Sequence, residues 1–140
     1  MKFQYQAALG VSDTRGHMVK RPVLEVELMG VNGKKITTLG ILDSGADTTT
    51  INLQYAHALG IRVDDSDQRE IMGIGNGRVK AFVSEIKLKI KHFDSEINLP
   101  VWFVDSENVD LLIGQEVFFD QHKIRFEKDH DTFEITEVRK

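Results

Sequence analysis

The chain has 140 residues, of which 41% are hydrophobic and 29% charged, a composition typical of one folded domain with a buried core. Its net charge of −4 disfavours non-specific nucleic-acid binding, which requires a positive surface. Cysteine is absent, which excludes disulfides, cysteine nucleophiles and thiolate metal sites. The longest apolar run, Leu99 to Val104, is too short for a membrane-spanning helix. The start MKFQYQAALGVSD lacks a signal-peptide pattern, so a cytoplasmic location without membrane contact is the default expectation.

Alternation of apolar and polar side chains predicts β-strands along most of the chain, because successive side chains of a strand point to opposite faces. The first predicted pair is VLEVELM (residues 23–29) and KKITTLGIL (residues 34–42). Between them lies Asn32-Gly33, a dipeptide typical of tight hairpin turns. The sequence therefore predicts an antiparallel hairpin here.

A short helix interrupts this pattern in NLQYAHALG, residues 52–60. Asn52 is a suitable N-cap and Gly60 a suitable stop, with apolar residues at helical spacing between them. The strand pattern returns in EIKLKIK, residues 85–91, where lysines alternate with apolar side chains. We interpret these lysines as the solvated face of a strand rather than as a nucleic-acid contact.

The last elements are a predicted helical turn in GQEVFFDQ (residues 114–121) and a hairpin in KIRFE-KDHD-TFEIT (residues 123–136). No linker, charge block or long repeat divides the chain. The pattern predicts one mostly-β domain that forms a closed or partly closed barrel.

Asp43 is the first candidate for chemistry. It ends the apolar run Gly40-Ile41-Leu42 and is followed by Ser44 and Gly45. Burial of a charge without a partner is costly, so an acid at the end of an apolar run indicates a structural or functional role. Asp-Ser-Gly by itself is also typical of a simple Asx-turn. The other Asp-Ser pairs of the chain lack the following Gly; they begin at Asp65, Asp94 and Asp105.

Three glycines alternate in REIMGIGNGRVKAF, residues 69–82. This spacing is not a phosphate-binding loop, because no Gly-Lys-Ser/Thr follows and the flanking segments resemble strands. It predicts a β-hairpin with a glycine-rich tip whose backbone approaches a ligand closely.

In their order along the chain, these segments and a third one resemble the retropepsin family of aspartic proteases. Ile41 to Ala46 resembles the catalytic signature, an apolar pair followed by Asp-Ser/Thr-Gly-Ala. Ile71 to Gly77 resembles the glycine-rich flap. Leu112-Ile113-Gly114 resembles the closing element, two apolar residues and a Gly before a short helix. The resemblance covers about residues 22–136 and is nearer to bacterial and cellular single-domain members than to viral ones.

The resemblance implies a mostly-β, retropepsin-like closed barrel with one or two short helices and a β-hairpin flap. The protease domain would span residues 22–140, with residues 1–21 as an N-terminal extension or interface strand. The implied function is that of an aspartic endopeptidase, which hydrolyses peptide bonds with a water activated between two carboxylates and needs no metal or cofactor. Because the chain holds one Asp-Ser-Gly, the second Asp43 would come from a homodimer.

The family's residue roles carry over to matching positions of this chain. Asp43 would be the catalytic acid and base, Ser44 would support the catalytic loop across the dimer interface, and Gly45 would leave room for the substrate backbone. The implied substrate-binding residues form the loop, the flap and the pocket walls: Ile41, Gly45, Ala46, Asp47, Thr48, Met72, Gly73, Ile74, Gly75 and Leu112.

Two features depart from the family pattern. Viral members usually carry Arg after the closing Gly, where it pairs with the Asp two residues after the catalytic Gly. Here these positions hold Gln115 and Asp47, which cannot form an ion pair. We interpret this as an altered support of the loop. Residues 1–21 have no clear counterpart, although the termini of viral members hold the dimer together.

Other interpretations remain open. One is a catalytically weak or inactive retropepsin-like module that dimerises or binds peptides, because fold does not fix function. Another is a mixed dimer with a different Asp-Ser/Thr-Gly chain. A serine hydrolase is disfavoured because Ser44 lacks the Gly-x-Ser-x-Gly context. A metal site is disfavoured because no histidine pair has ligand spacing; the histidines are His17, His57, His92, His122 and His130.

Overall fold

The computed structural model describes residues 1–65, 68–72 and 77–138. Its strands are connected mostly by short turns, and one α-helix follows the sixth strand. The elements are β1 (Lys2–Gln4), β2 (Gln6–Ser12), β3 (Met18–Arg21), β4 (Val23–Met29), β5 (Lys35–Leu42), β6 (Thr49–Asn52), α1 (Leu53–Ala58), β7 (Gln68–Met72), β8 (Arg78–Ile90), β9 (Glu96–Val104), β10 (Leu111–Ile113), β11 (His122–Glu127) and β12 (Thr132–Glu137).

Six strands close into a barrel. Their order is β4-β5-β10-β6-β9-β8, and β8 pairs with β4 to complete the circle. The apolar side chains at alternate positions of β4 point inward, since Leu24, Val26 and Leu28 are at most 1% exposed. This arrangement confirms the mostly-β barrel predicted from the alternation.

The predicted local elements of the barrel are also present. β4 and β5 pair antiparallel through a turn in which Asn32 and Gly33 both have positive φ, as a tight hairpin requires. At the start of α1, the Asn52 side chain accepts a hydrogen bond from the Gln54 amide at 2.9 Å, and Gly60 follows the helix with φ +69°. Local side-chain chemistry thus determines both boundaries.

The segment predicted as a helical turn, residues 114–121, forms a series of turns instead of a regular helix. The Phe119 amide bonds to the Gln115 carbonyl at 3.0 Å, which is a helical hydrogen bond. Val117 has φ +66°, a conformation that an α-helix does not contain, so the helical geometry does not continue.

The barrel contains two parallel pairings that position the site. β5 pairs with β10, and β6 pairs with β9. β10 also lies antiparallel to β6. Parallel neighbours end at the same edge of a sheet, so the residue after β5, Asp43, and the residue after β10, Gly114, lie side by side.

Two smaller sheets lie outside the barrel. β1, β12 and β11 form a terminal sheet in which β11 and β12 are the predicted tail hairpin. Phe133 is buried there and stacks on Phe3 with ring centroids 5.3 Å apart, whereas Phe126 is exposed. β2 and β3 form a separate ribbon. In the part of the chain that the structure describes, no helix has the length and apolar character needed to cross a membrane.

Candidate active site

Asp43 lies at the exposed turn between β5 and β6. Its amide bonds to the Ile113 carbonyl at 2.9 Å, which continues the pairing of β5 with β10 into the turn. Its carboxylate oxygen Oδ1 accepts a hydrogen bond from the Gly45 amide at 2.9 Å. Asp43 is half-buried, while Ser44 and Gly45 are exposed. The carboxylate is therefore fixed by the backbone of its own loop and remains open to solvent.

Gly45 stands close to this carboxylate. A Cβ at Gly45 would lie 3.2 Å from Asp43 Oδ1, which is tighter than most Cβ contacts in proteins. A larger side chain at this position would therefore crowd the acid. This contact gives a structural reason for the glycine of the Asp-Ser-Gly motif.

The loop that the sequence predicts to be catalytic, residues 43–48 and called the catalytic loop below, is supported by the segment that follows β10. The Gln115 amide donates to the Ala46 carbonyl at 2.9 Å, and the Glu116 amide donates to the Asp47 carbonyl at 2.8 Å. These two bonds hold the loop against the turn as if the strand pairing continued. The loop geometry is consequently determined by residues about 70 positions away along the sequence.

Gly114 permits this close approach. A Cβ at Gly114 would lie 2.6 Å from both the carbonyl carbon and oxygen of Thr48, a separation that real Cβ atoms essentially never show. The Gly114 amide donates to the buried Thr49 hydroxyl at 3.2 Å, which satisfies both groups. Sequence reasoning missed Thr49, since it lies inside an undistinguished run of three threonines.

Gln115 provides the altered support expected from the sequence. Its side-chain amide donates a hydrogen bond to the Ser44 carbonyl. The neutral amide of Gln115 thus contacts the backbone of the catalytic loop directly. The Arg of the viral pattern would instead pair with the Asp side chain at position 47. Sequence reasoning also missed the next residue, Glu116, whose carboxylate accepts a hydrogen bond from the Thr48 hydroxyl at 3.4 Å.

We expect Gln115→Ala to loosen the catalytic loop while the barrel remains folded. Loss of one hydrogen bond should lower the free energy of unfolding by about 1 kcal/mol. Because a misplaced catalytic group is costly, any peptide cleavage should slow by roughly 10- to 100-fold. Thermal unfolding and cleavage rates measure the two effects. Gln121→Ala, at an exposed position of the same segment, is the control, and an equal loss of rate in both variants would contradict the role of Gln115.

The structure brings several other predicted site residues towards Asp43. Ile41 and Leu112 are direct partners on β5 and β10, and both are half-buried. Ala46, Asp47 and Thr48 continue the catalytic loop towards β6. They thus lie within five residues of Asp43 along the chain or, for Leu112, on the strand paired with β5.

The segment predicted as a flap forms an antiparallel hairpin in the residues that the structure describes. β7 pairs with the start of β8 from Gln68↔Phe82 to Met72↔Arg78, and an ion pair of 3.1 Å joins Glu70 to Arg78 across it. β7 is an edge strand that pairs with β8 and extends the hairpin beyond the closed barrel. The predicted substrate-binding residues of the tip, Gly73, Ile74 and Gly75, lie outside the described residues.

Metal ligands were not expected from the sequence. Among residues 1–65, 68–72 and 77–138, no group of three or more His, Asp or Glu side chains is placed to hold a metal ion. The group that the catalytic loop offers for chemistry is the Asp43 carboxylate, which lies next to exposed residues of the same loop.

Comparison with known proteins agrees with this arrangement. A sequence profile described as "Aspartyl protease" matches residues 26–117, which extend from β4 to the turn after β10. Comparison with curated proteins finds no match of significance.

Several solved structures have a similar fold. A retropepsin-like aspartic protease from Rickettsia conorii has a TM-score of 0.61 and 15% identity, with 97% of this chain and 98% of that chain covered. The retroviral protease-like domain of Ddi1 from Leishmania major has a TM-score of 0.56 and 18% identity, with coverages of 83% and 90%. EIAV protease complexed with the inhibitor HBY-793 has a TM-score of 0.54 and 23% identity, with coverages of 72% and 88%.

The profile match covers the barrel strands that carry Asp43 and its supporting turn, and the structural matches share the closed barrel. The chain therefore belongs to the aspartyl protease family and has the retropepsin-like fold.

Proposed function

We propose that this protein is an aspartic endopeptidase that works as a homodimer, with one Asp43 from each chain. The observation that supports this most strongly is the catalytic loop itself. Its carboxylate is open to solvent, fixed by the Gly45 amide, and backed by the turn around Gly114. A loop serving only as a turn would not need this backing from a distant segment.

The chemistry requires two acids. Two carboxylates at short distance share one proton, because both cannot be ionised together. The ionised carboxylate takes a proton from water, which attacks the peptide carbonyl carbon, and the protonated one donates its proton to the carbonyl oxygen. The tetrahedral intermediate then collapses as the C–N bond breaks and the nitrogen takes a proton. Since a chain supplies one Asp-Ser-Gly, two-fold symmetry provides the pair.

The substrate would be an extended peptide. An extended chain binds to strand edges and loop backbones through main-chain hydrogen bonds, and β7 is such an edge strand of the β7–β8 hairpin. Ile41 and Leu112 would form apolar pocket walls next to Asp43. We therefore expect preference for an apolar side chain near the cleaved bond.

Cleavage of a diverse peptide mixture at several protein concentrations tests the proposal. In the range where the dimer dissociates, the rate per chain should rise with concentration, because a monomer holds half of the acid pair. The rate should also fall towards both low and high pH, because one carboxylate must be protonated and the other ionised.

Two results would contradict this function. A strict monomer by sedimentation at concentrations where peptides are cleaved would exclude the shared acid pair. A folded dimer that cleaves no peptide at any pH would favour a module that only binds or dimerises.

A further inference from the structure

The ribbon, defined as residues 6–21 with strands β2 and β3, stands outside both larger sheets. Within the described residues, β2 and β3 pair with each other and with no other strand. A side-chain link to the body runs from the Lys20 ammonium to the Asp131 carboxylate at 3.0 Å. A two-stranded ribbon alone is only marginally stable in water, so this one needs further contacts to hold its shape.

The ribbon presents apolar side chains to solvent. Leu9 is 86% exposed, Met18 is 54% exposed, and Val11 is exposed as well. Leu9 has the highest exposure given for any large apolar side chain of the described residues. A group of exposed apolar side chains on one element is typical of an interaction surface.

The base of the ribbon lies next to the catalytic loop. The Pro22 carbonyl, one residue after the ribbon, accepts a hydrogen bond from the Leu42 amide at 2.9 Å. Val23 is the direct partner of Ile41. The ribbon thus leaves the barrel beside the residue that precedes Asp43. In the proposed dimer the two Asp43 side chains meet on the two-fold axis. The ribbon of each chain would therefore leave its barrel next to the second chain.

The chain termini are already engaged within one chain. β1 pairs with β12 of the same chain, and the Met1 ammonium donates to the Ile135 carbonyl at 2.7 Å. Phe3 stacks on Phe133 in this sheet. The N-terminal strand therefore contacts its own chain, which leaves the ribbon as the part of the N-terminal segment that is free to cross to a partner.

Charge favours a second copy of this chain as the occupant. The ribbon, residues 6–21, holds three Lys or Arg and one Asp, a net charge of +2, whereas the rest of the chain holds 15 basic and 21 acidic residues, a net charge of −6. Asp47 and Glu116, both exposed, lie at the catalytic loop, which would approach the two-fold axis of the proposed dimer. A basic arm therefore meets an acidic body when two copies associate.

A groove at the base of the ribbon offers a place to bind. It has a volume of about 410 Å³, and its apolar lining includes Phe3, Tyr5, Val23 and Leu39. Leu39 is 48% exposed there. In a two-fold dimer each chain presents both a ribbon and a groove, so the contact would occur twice.

We propose that the ribbon of each chain is a dimerisation arm that packs on the second copy of the chain beside the active site, with Leu9 and Met18 entering the second copy's groove. This inference rests on the proposed homodimer. It assigns residues 6–21 the role of bringing the two Asp43 side chains together. The terminal strands β1 and β12 pair within their own chain.

Sedimentation over a dilution series, together with peptide cleavage, tests the arm. We expect Leu9→Asp to raise the dimer Kd by about 30-fold or more, as loss of a central apolar contact does. Cleavage per chain should fall at low concentration and recover at high concentration. Val31→Asp is the matched control, since Val31 is 47% exposed at the opposite end of the β4–β5 hairpin. The control should leave the Kd unchanged.

A second variant replaces residues 7–20 by Gly-Gly, which joins the paired residues Gln6 and Arg21 by a two-residue turn. We expect this variant to be folded by circular dichroism and monomeric by sedimentation. It should cleave little at concentrations where the wild type is dimeric.

Because the chain has no cysteine, Leu9→Cys can also carry a single benzophenone label. In a mixture of light and heavy isotope chains, cross-links from the label should join different chains at the groove.

The outcomes separate this inference from the proposed function. A wild type that cleaves peptides as a monomer overturns both. A wild type that cleaves as a dimer, with an unchanged Kd in Leu9→Asp and in the deletion variant, overturns only the arm. Equal weakening by Val31→Asp, or cross-links confined to one chain, also overturns it.

Discussion

Asp43→Asn should abolish peptide cleavage and leave the fold intact. The amide keeps the shape of the carboxylate and can still accept the hydrogen bond from the Gly45 amide, so the loop geometry should persist. It cannot exchange a proton with water, and in a homodimer both acids are lost together. General acid and base groups contribute on the order of 10²- to 10⁴-fold in rate, so cleavage should fall to the limit of detection. Cleavage of the peptide mixture measures the loss, and circular dichroism verifies the fold.

Asp94→Asn is the matched control for this variant. Asp94 is also followed by Ser, but it is exposed in the turn between β8 and β9. We expect full activity for this variant. Turnover retained by Asp43→Asn would refute the proposed mechanism, and equal loss in both variants would point to an effect outside the catalytic loop.

Mixtures of wild-type and Asp43→Asn chains test whether one active site is shared by two chains. If each active site takes one Asp43 from each chain, an excess of Asp43→Asn chains should draw wild-type chains into mixed dimers and suppress their activity. The suppression should follow the statistics of random pairing. Activity proportional to the wild-type chain alone would exclude a shared site.

Gly114→Ala should have the largest effect on both stability and activity among single methyl additions near the site. The new Cβ would meet backbone atoms of Thr48 at 2.6 Å, and backbone cannot rotate away as a side chain does. Such overpacking costs about 1–3 kcal/mol of unfolding free energy, and here it falls on the contact that holds the catalytic loop. We expect a lower midpoint of thermal unfolding and a loss of cleavage beyond that explained by the unfolded fraction.

Gly77→Ala controls for the general effect of replacing glycine in a strand-rich protein. Among the residues that the structure describes, a Cβ at Gly77 has no neighbour within 4 Å, so the stability of Gly77→Ala should stay close to that of the wild type. Comparable destabilisation by both substitutions would show that steric contact with Thr48 is not the cause.

Several parts of the fold were predictable because their causes are local. The alternation in β4 determines which side chains are buried, and Asn32-Gly33 specifies a tight hairpin turn. Asn52 caps α1 because its side chain accepts a hydrogen bond from the Gln54 amide, two residues ahead. Such features follow from the conformational preferences of a few neighbouring residues, which the sequence shows directly.

The helical turn after Gly114 was predicted less well. The apolar spacing of residues 114–121 favours a helix, and two helical hydrogen bonds do form, from the Phe119 amide to Gln115 and from the Gln121 amide to Val117. Both Gln115 and Glu116 direct their amides to the catalytic loop, and Val117 adopts a positive φ. Tertiary hydrogen bonds to Ala46 and Asp47 thus replaced the local preference.

For this protein, the sequence by itself determined the strands with alternating side chains, the caps and turns, and the acid that follows β5, because each depends on residues that are adjacent along the chain. Only the tertiary structure decided that β5 pairs in parallel with β10, so that Gly114, Gln115 and Thr49 support the Asp43 loop. It also decided that residues 6–21 form a ribbon whose apolar side chains are exposed. Distant strands choose partners by burying complementary faces and satisfying backbone hydrogen bonds together, and no short segment of sequence contains that information.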